Sequence, residues 1–379
     1  YTGAKFKTDV YEYTNHQAGA TLWYHDHAIG ITRLNVYAGL AGFYIIRDFL
    51  EKRLNLPEGP YDIPIMIQDK SFKKDGSLFY PESTDPAIEH PFPSNPGAFF
   101  GNTVVVNGKI WPFLEVEPRK YRFRFLNGSN LRPYELKLSN GEVFHQIGTD
   151  LGLMQHPEKI ESFIIEPAER MDCIIDFSKY KGQEIFLQNI AQTPPSPGME
   201  VIMKFKVKKD LICPDTSTIP EHLMPAHHLD PSLATVQRTM VLDSKEDHYK
   251  RVMHLLNGKT WDAPCTERPK LGDVEIWHFY NKFTFPHPIH IHLVHFEILG
   301  RKEYNPRDFD KHGNCKLDLA SLTPPLKYEK GPKDVVRAEP NQVTSVIMQF
   351  KDYPGDYVWH CHILEHEDHD MMRPLKVEE

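Results

Sequence analysis

An internal repeat most constrains how this chain folds. The segment Asn107–Trp111, with the sequence NGKIW, returns as NGKTW at Asn257–Trp261. Each copy is followed by a stretch of strand-like alternation that ends in asparagine, at Tyr121–Asn127 and at Glu275–Asn281. The copies lie about 150 residues apart, a common domain length. The repeat therefore predicts two related β units.

A second pair of matching segments lies at the two ends of the chain. Gly19–His27 and Gly355–His362 both run from a strand-like stretch into an H-x-H motif. The chain has 379 residues with 31 Pro and 22 Gly, which favours many short strands joined by turns. We predict an all-β protein built of tandem Greek-key sandwiches or barrels. The predicted units are 1–48 (partial), 55–210 and 236–379, with a Pro- and His-rich linker near 210–233.

Composition excludes several classes of function. The net charge of -8 argues against nucleic acid as a partner, because phosphate binding needs a basic face. No apolar run approaches the roughly 20 residues that span a bilayer, so no membrane segment is expected. The cysteines form no CxxC pair and no zinc-type spacing. One disulfide is possible, with the pair left open, among Cys173, Cys213, Cys265 and Cys315.

The C-terminal motif WHCHILEH, followed by a methionine, carries metal-binding side chains. Because side chains alternate across a strand, His360 and His362 share one face and Cys361 points to the other. A cysteine thiolate, two histidines and a weak methionine ligand form a mononuclear blue-copper site. Cys361, His366 and Met371 supply three of those four ligands.

The motif HPIHIH supplies the fourth ligand and has the complementary parity. His290 and His292 share a face, and His287 falls on the opposite parity, where it can complete the mononuclear site. The remaining histidines need at least one further metal ion. The predicted members of this second cluster are His25, His27, His290, His292, His360 and His362.

Each motif taken alone has an ordinary explanation. An isolated H-x-H is usually structural, Cys361 could be a buried free thiol, and Met371 could be a core residue with Met372 as its competitor. Two independent motifs that complete one ligand set between them favour metal sites over these explanations.

The motifs HPIHIH, WHCHILEH and WYHDHAIGITRLNVYAGLAGFYIIRD resemble those of the multicopper oxidases. The similarity extends from His25 to Met371 and looks greatest to the bacterial spore-coat laccases, with bilirubin oxidases as near relatives. The resemblance implies three cupredoxin domains, with type 1 copper in the third and a trinuclear cluster between the first and third. It also implies a monomer that couples one-electron oxidation of diphenols and related aromatic reductants to reduction of dioxygen to water. A spore-coat or extracellular location is suggested on the same grounds.

Matched residue by residue, the resemblance implies a role for each candidate. The implied type 1 ligands are His287, Cys361, His366 and Met371; the type 2 ligand is His290; the type 3 ligands are His25, His27, His292, His360 and His362. Cys361 is also the implied electron conduit toward its histidine neighbours. Glu367 resembles an acidic residue of the laccases, which makes it a candidate proton relay, with an ordinary solvated acid as the alternative.

One family motif is missing from this sequence. The resemblance implies an H-x-H-G motif that supplies two further cluster ligands, and the 379 residues contain none. We therefore expect the N-terminal part of the first domain to lie outside this chain. The alternatives are a bilirubin oxidase-like enzyme with another donor, or a type 1 copper-binding or electron-transfer protein without oxidase activity. A two-domain copper nitrite reductase fits less well, because histidines flank Cys361 on both sides.

Overall fold

The computed structural model of the chain describes residues 12–81, 97–191, 197–225, 228–303, 305 and 317–379. Strands dominate, and the all-β prediction is confirmed. The α-helices are short: Thr32–Ala38 (α1), Phe49–Lys52 (α2) and Leu364–Glu367 (α3). Short 3-10 helices lie at Gly59–Tyr61, Pro231–Leu233, Leu319–Ser321 and Lys327–Glu329. Within these ranges, none of the helices has the length and apolar character needed to cross a membrane.

The N-terminal segment forms a two-stranded antiparallel sheet of Ala20–His25 (β1) and Ala41–Ile46 (β2), with α1 between the strands. The helix ends at Gly39, whose φ of 106° is left-handed and whose N–H returns to the last turn of the helix. Strand β1 ends at His25, so the first predicted metal ligand lies at the C-terminal end of this strand.

The middle part of the chain forms two sheets. The eight-stranded sheet has the order β11-β10-β13-β8-β3-β5-β6, with β4 paired to β3, and the five-stranded sheet has the order β12-β9-β14-β15-β7. The strands are Asp62–Phe72 (β3), Leu78–Phe79 (β4), Thr103–Val106 (β5), Lys109–Ile110 (β6), Phe113–Val116 (β7), Lys120–Asn127 (β8), Tyr134–Leu138 (β9), Phe144–Thr149 (β10), Gly152–Ile160 (β11), Ser162–Ile165 (β12), Arg170–Asp176 (β13), Glu184–Asn189 (β14) and Val201–Val207 (β15).

The C-terminal part also forms two sheets. The five-stranded sheet has the order β17-β16-β18-β22-β20, and the four-stranded sheet has the order β21-β19-β23-β24. The strands are Val236–Glu246 (β16), Val252–Leu256 (β17), Val274–Asn281 (β18), His287–Ile291 (β19), Phe296–Glu303 (β20), Val335–Ala338 (β21), Gln342–Gln349 (β22), Gly355–Cys361 (β23) and Met372–Val377 (β24).

The sheets are open, so the architecture is that of sandwiches and not of closed barrels. One buried apolar core lies between the two middle sheets and another between the two C-terminal sheets. The strands of the two sandwiches fall inside the predicted units 55–210 and 236–379, and the boundaries themselves stay a prediction. Among the cysteines, Cys173, Cys213 and Cys265 are free thiols, and Cys315 lies outside the described residues.

The two repeat copies have the same conformation. Left-handed asparagines, with φ of 47° at Asn107 and 56° at Asn257, are each followed by a glycine of positive φ. Successive left-handed residues make the type I′ turn that suits the twist of a hairpin. The Asn107 side chain accepts a hydrogen bond from the N–H of Met66, and the Asn257 side chain accepts one from Val241. The repeat therefore marks one structural element used twice.

Candidate metal centres

Adjacent antiparallel strands carry the predicted ligands onto two faces. In the register between β19 and β23, His290 lies opposite His360, and Ile289 lies opposite Cys361. His287 has the same parity as Ile289 and so lies on the Cys361 face. The alternation deduced from the two motifs is thus present in one sheet, with a separate group of ligand side chains on each side.

A mononuclear group lies on the core side of this sheet. The Cys361 sulfur is 3.8 Å from Nδ1 of His366, and the His287 and His366 ring centroids are 5.3 Å apart. Cys361 and His287 have no solvent exposure, and His366 has 3%. Helix α3 returns the chain so that His366 reaches the end of β23, five residues after Cys361. These side chains form a compact, dry set of thiol and imidazole groups.

The structure separates the two candidate methionines. Met371 belongs to the same buried cluster as Cys361, and its carbonyl accepts a hydrogen bond of 3.0 Å from the Cys361 N–H. Met372 begins β24 opposite His360 and lies outside that cluster. Met371 is therefore the methionine that shares a core with the mononuclear group.

Burial determines the protonation states at this group. It lowers the pKa of His287 and His366 well below the ordinary histidine value, so both imidazoles are neutral. Neither ring nitrogen of His287 has a hydrogen-bond partner among the described residues. Burial also raises the pKa of the Cys361 thiol well above its usual range, and a bound metal ion reverses that preference because it takes the thiolate.

The six predicted cluster histidines converge on the other side. Neighbouring ring centroids in the group are 4.8 to 5.8 Å apart. The Nε2 atoms of His27 and His292 each lie 3.2 Å from Nε2 of His360. His360 and His362 are buried, and the other four are partly exposed. Residues more than 330 positions apart thus present imidazole nitrogens to one point.

Backbone carbonyls orient three of these rings. Nδ1 of His25 lies 2.7 Å from the Asp26 carbonyl, Nδ1 of His290 lies 2.7 Å from the Asp334 carbonyl, and Nδ1 of His360 lies 3.0 Å from the Cys361 carbonyl. An imidazole that donates from Nδ1 keeps the lone pair of Nε2 for a metal ion. The backbone therefore selects the metal-binding tautomer.

Glu367 lies between two cluster histidines. Its carboxylate oxygens are 3.4 Å from Nδ1 of His27 and 3.2 Å from Nδ1 of His360, and the side chain is buried. Burial raises the pKa of Glu367 to about 7, against the opposing effect of the nearby histidines. A solvated surface acid is excluded by this position, and a carboxyl group with a pKa near neutrality can exchange protons there.

Asp368 attaches the N-terminal segment to the C-terminal motif. Its carboxylate accepts hydrogen bonds from three N–H groups at the start of α1, those of Gly30, Thr32 and Arg33. It also pairs at 2.9 Å with the buried Arg33 guanidinium. Because these N–H groups have no partner inside the helix, Asp368 acts as a distant cap. This contact holds the segment that carries His25 and His27 against the motif that carries His360 and His362.

Arg170 connects three parts of the chain beside the cluster. Its buried guanidinium donates to the carbonyl of Thr21 in β1, to the carbonyl of Asp150 and to both carboxylate oxygens of Asp334, at 2.6 to 3.1 Å. The Asp334 carbonyl in turn orients His290. Arg170 therefore supports the position of a predicted ligand from the middle sandwich.

Sequence reasoning missed His254, which also lies at the mononuclear group. The ligand-type nitrogens of His254, His287 and His366 lie within 4.8 Å of one another. His254 stands three residues before Asn257, where the other repeat copy has the buried Val104 before Asn107. A histidine at an apolar position of the repeat was the signal that could have revealed it.

Comparisons with known proteins identify the family of this chain. Multicopper oxidase family models match residues 4–50 and 229–379. The laccases of Bacillus stratosphericus and Bacillus subtilis are each 48% identical to this chain over 99% of its length, which covers 75% and 74% of those proteins. The crystal structure of the multicopper oxidase McoA from Aquifex aeolicus superposes with a TM-score of 0.80 at 31% identity, covering 96% of this chain and 76% of that one.

The chain belongs to the multicopper oxidase family. The predicted resemblance is confirmed, and with it an oxidoreductase whose electron acceptor is dioxygen and whose cofactor is copper. The side chains fit that cofactor. Neutral imidazoles with unpartnered nitrogens at His287 and His362, together with the Cys361 thiol, are the donor types that copper prefers.

Proposed function

We propose that this chain is a laccase-like multicopper oxidase that takes single electrons from small aromatic reductants, diphenols among them, and passes them to dioxygen. The observation that carries the proposal is the pairing of β19 with β23. These two strands present a thiol-containing group on one face of their sheet and an all-histidine group on the other. The laccase identity of relatives at 48% identity supports the substrate class.

The proposed ligands follow from the two groups. His287, Cys361, His366 and Met371 would hold one copper ion, and His25, His27, His290, His292, His360 and His362 would hold the cluster. When bound, copper supplies one-electron oxidation at the first site and reduction of dioxygen to water at the second. The protein contributes ligand geometry, dryness and the spacing between the sites.

Cys361 joins the two sites covalently. Its sulfur belongs to the mononuclear group, while its backbone continues directly into His360 and His362 of the cluster. The shortest covalent path between the two groups therefore runs from the Cys361 sulfur through the Cys361 backbone to the adjacent residue, which is His360 in one direction and His362 in the other. We assign Cys361 the role of electron conduit for this reason.

Glu367 is the proposed proton relay. Its carboxyl group lies within 3.4 Å of Nδ1 atoms on His27 and His360, and its pKa is raised to about 7 by burial. Reduction of dioxygen to water consumes protons, and a carboxyl group of this pKa can give up and regain one near neutral pH. We therefore assign Glu367 the transfer of protons at the cluster histidines His27 and His360.

Aromatic side chains border the mononuclear group. Phe285, which is 38% exposed, lies 4.6 Å from His287, and Phe283 lies at the same distance from that ring. Flat aromatic reductants can pack against such rings. This surface supports aromatic donors over small inorganic ones.

A spore-coat or extracellular location is proposed on family resemblance alone.

The copper content per chain tests the proposal. Purified protein is loaded with copper, and bound metal is measured together with oxygen uptake on a simple phenol and on bilirubin. About four copper ions with uptake on the phenol support the laccase-like function, whereas faster uptake on bilirubin overturns the substrate class. No bound copper contradicts the ligand sets.

One observation favours a second candidate, a type 1 copper protein without oxidase activity. All four residues of the mononuclear group are buried, while four of the six cluster histidines keep partial exposure. About one copper ion per chain, with intense visible absorption and no oxygen uptake, would select this candidate.

A further inference from the structure

A histidine outside the proposed ligand sets lies against the mononuclear site. His254 is in β17, in the five-stranded sheet, whereas His287 and Cys361 come from the four-stranded sheet and His366 comes from α3. The side chain therefore approaches the site from the opposite sheet of the sandwich. Its backbone is held by pairing with β16, opposite Ser244.

The His254 ring stacks on His366. The ring centroids are 3.8 Å apart with an interplanar angle of 18°. Phe283 also lies 5.0 Å from His254, so the imidazole contacts a second aromatic ring. The buried Nδ1 atom of His254 has no hydrogen-bond partner within the described part of the chain. A buried nitrogen without a hydrogen-bond partner is unfavourable, so the position of His254 calls for a structural reason.

The ring planes exclude direct ligation alongside His366 in this geometry. An imidazole nitrogen directs its lone pair in the plane of the ring. Two nearly parallel rings 3.8 Å apart therefore cannot both aim a lone pair at one ion. His254 acts on the site through the face of its ring.

We propose that His254 is a positioning residue of the mononuclear copper site, which fixes the ring plane of His366 by stacking and covers that ligand from solvent. The inference rests on the mononuclear ligand set proposed above. Helix α3 is only four residues long and by itself holds His366 weakly. A stacked ring carried by the opposing sheet supplies the missing constraint, and His366 has only 3% exposure beneath it.

Two substitutions separate stacking from other roles. His254→Phe keeps an aromatic face and removes the nitrogens, and His254→Leu keeps apolar cover and removes the ring. The control is His156→Leu, because His156 also lies in a strand and also contacts a second histidine, His222, at 4.7 Å. The readouts are the thiolate–copper absorption band, the reduction potential of the site, and copper retention against a chelator.

Stacking predicts a graded result. His254→Leu is expected to shift the absorption band, raise the reduction potential and lower copper affinity roughly tenfold, because loss of an orienting neighbour typically weakens a metal site by 10–100-fold. His254→Phe should keep affinity within about twofold of the parent, and His156→Leu should match the parent. Thermal unfolding of each variant, followed by circular dichroism, reports on folding separately.

Two outcomes overturn the proposal. Equal changes in His254→Phe and His254→Leu would show that the site depends on the imidazole nitrogens of His254 and not on its ring face. Unchanged spectra and affinity in both would show that the stack does nothing for the site. A parent protein that binds copper without the thiolate band contradicts the proposed ligand set itself, so the two failures can be told apart.

Discussion

The two groups of candidate ligands are built in different ways. The mononuclear group is drawn from residues 287–371, and its four side chains are buried at one apolar core that includes Cys361 and Met371. The histidine cluster joins His25 and His27 to residues hundreds of positions later, and its N-terminal part is held by Asp368 and Arg170 through buried charge. The first group therefore depends on how one sandwich packs, whereas the second depends on contacts between segments. Substitutions should be able to remove either without the other.

The largest expected effect comes from Cys361→Ser. Loss of the thiolate should abolish the intense visible absorption and all turnover of the reductant, because no other described thiol lies at the site. Cluster copper should remain, since His360 and His362 point to the other face. Elemental analysis and electron paramagnetic resonance measure both. Loss of cluster copper as well would contradict the independence of the two groups.

Arg170→Met should remove the histidine cluster and leave the mononuclear group intact. Removing one partner of a buried ion pair typically costs about 3–5 kcal/mol, because the other charge stays buried without compensation. The free energy of unfolding should fall by that amount, and cluster copper should be lost while the thiolate band persists. Arg337→Met is the matched control, because Arg337 pairs with Glu166 at 2.7 Å between the same two sandwiches without bonding to the residue that orients His290. Equal copper loss in both variants would reduce Arg170 to a general stabiliser.

Glu367→Gln should separate proton supply from metal binding. The spectra of both copper sites are expected to persist, while oxygen uptake falls about a hundredfold, a usual cost of removing a proton-transfer group. Because burial raises the pKa of Glu367 to about 7, the parent rate should decline as the pH rises above that value and the protonated form is lost. Uptake is measured from pH 5 to 9. A variant with the parent's rate and pH profile would remove Glu367 from the mechanism.

The smallest effect is expected from Asp215→Asn, remote from both groups. Burial opposes ionisation of Asp215, but hydrogen bonds from Lys120 and Ser217 outweigh it and hold its pKa well below the ordinary value. A lowered folded-state pKa adds stability above pH 4, and that stability disappears as the pH falls through the folded-state pKa. The variant should lose about 1–2 kcal/mol at pH 7 and progressively less under acid conditions.

This loss of stability is measured as the change in the urea midpoint of unfolding at several pH values. Copper content and both spectra should match the parent, since the described partners of Asp215 are Arg119, Lys120 and Ser217, which belong to neither group of candidate ligands. A change in either copper site would mean that the middle sandwich transmits strain to the copper sites. The contrast between the mononuclear group, built within one sandwich, and the histidine cluster, assembled from distant segments, would then need revision.

Much of the fold was predictable because the repeat carries local hydrogen-bond chemistry. Asn127 and Asn281, the last residues of the two matched strands, each donate from the side-chain amide to two carbonyls and accept from the N–H two residues on. Two of the three hydrogen bonds of each asparagine stay within 5 residues of it, and such local chemistry leaves a sequence signature. The choice between sandwich and barrel has none, because closure depends on whether the outermost strands meet.

The arrangement of the candidate ligands on two faces was predictable for a similar reason. Strand alternation is a property of neighbouring residues, and it separates Cys361 from His360 and His362 in any fold that keeps the strand extended. His254 escaped notice because its significance lies in a 3.8 Å contact with His366, more than 100 residues away. No periodicity within β17 encodes that contact.

The sequence by itself therefore determined the fold class, the donor types and the two-sided pattern, all of which follow from short-range geometry and residue chemistry. Only the tertiary structure decided that Met371 shares the core of Cys361, that Asp368 caps a helix 335 positions earlier, and that His254 covers a ligand. Packing brings such partners together, and packing is set by the whole chain at once. A local pattern can identify a candidate side chain. Which residues contact that side chain across a sandwich depends on how all the strands between them pack.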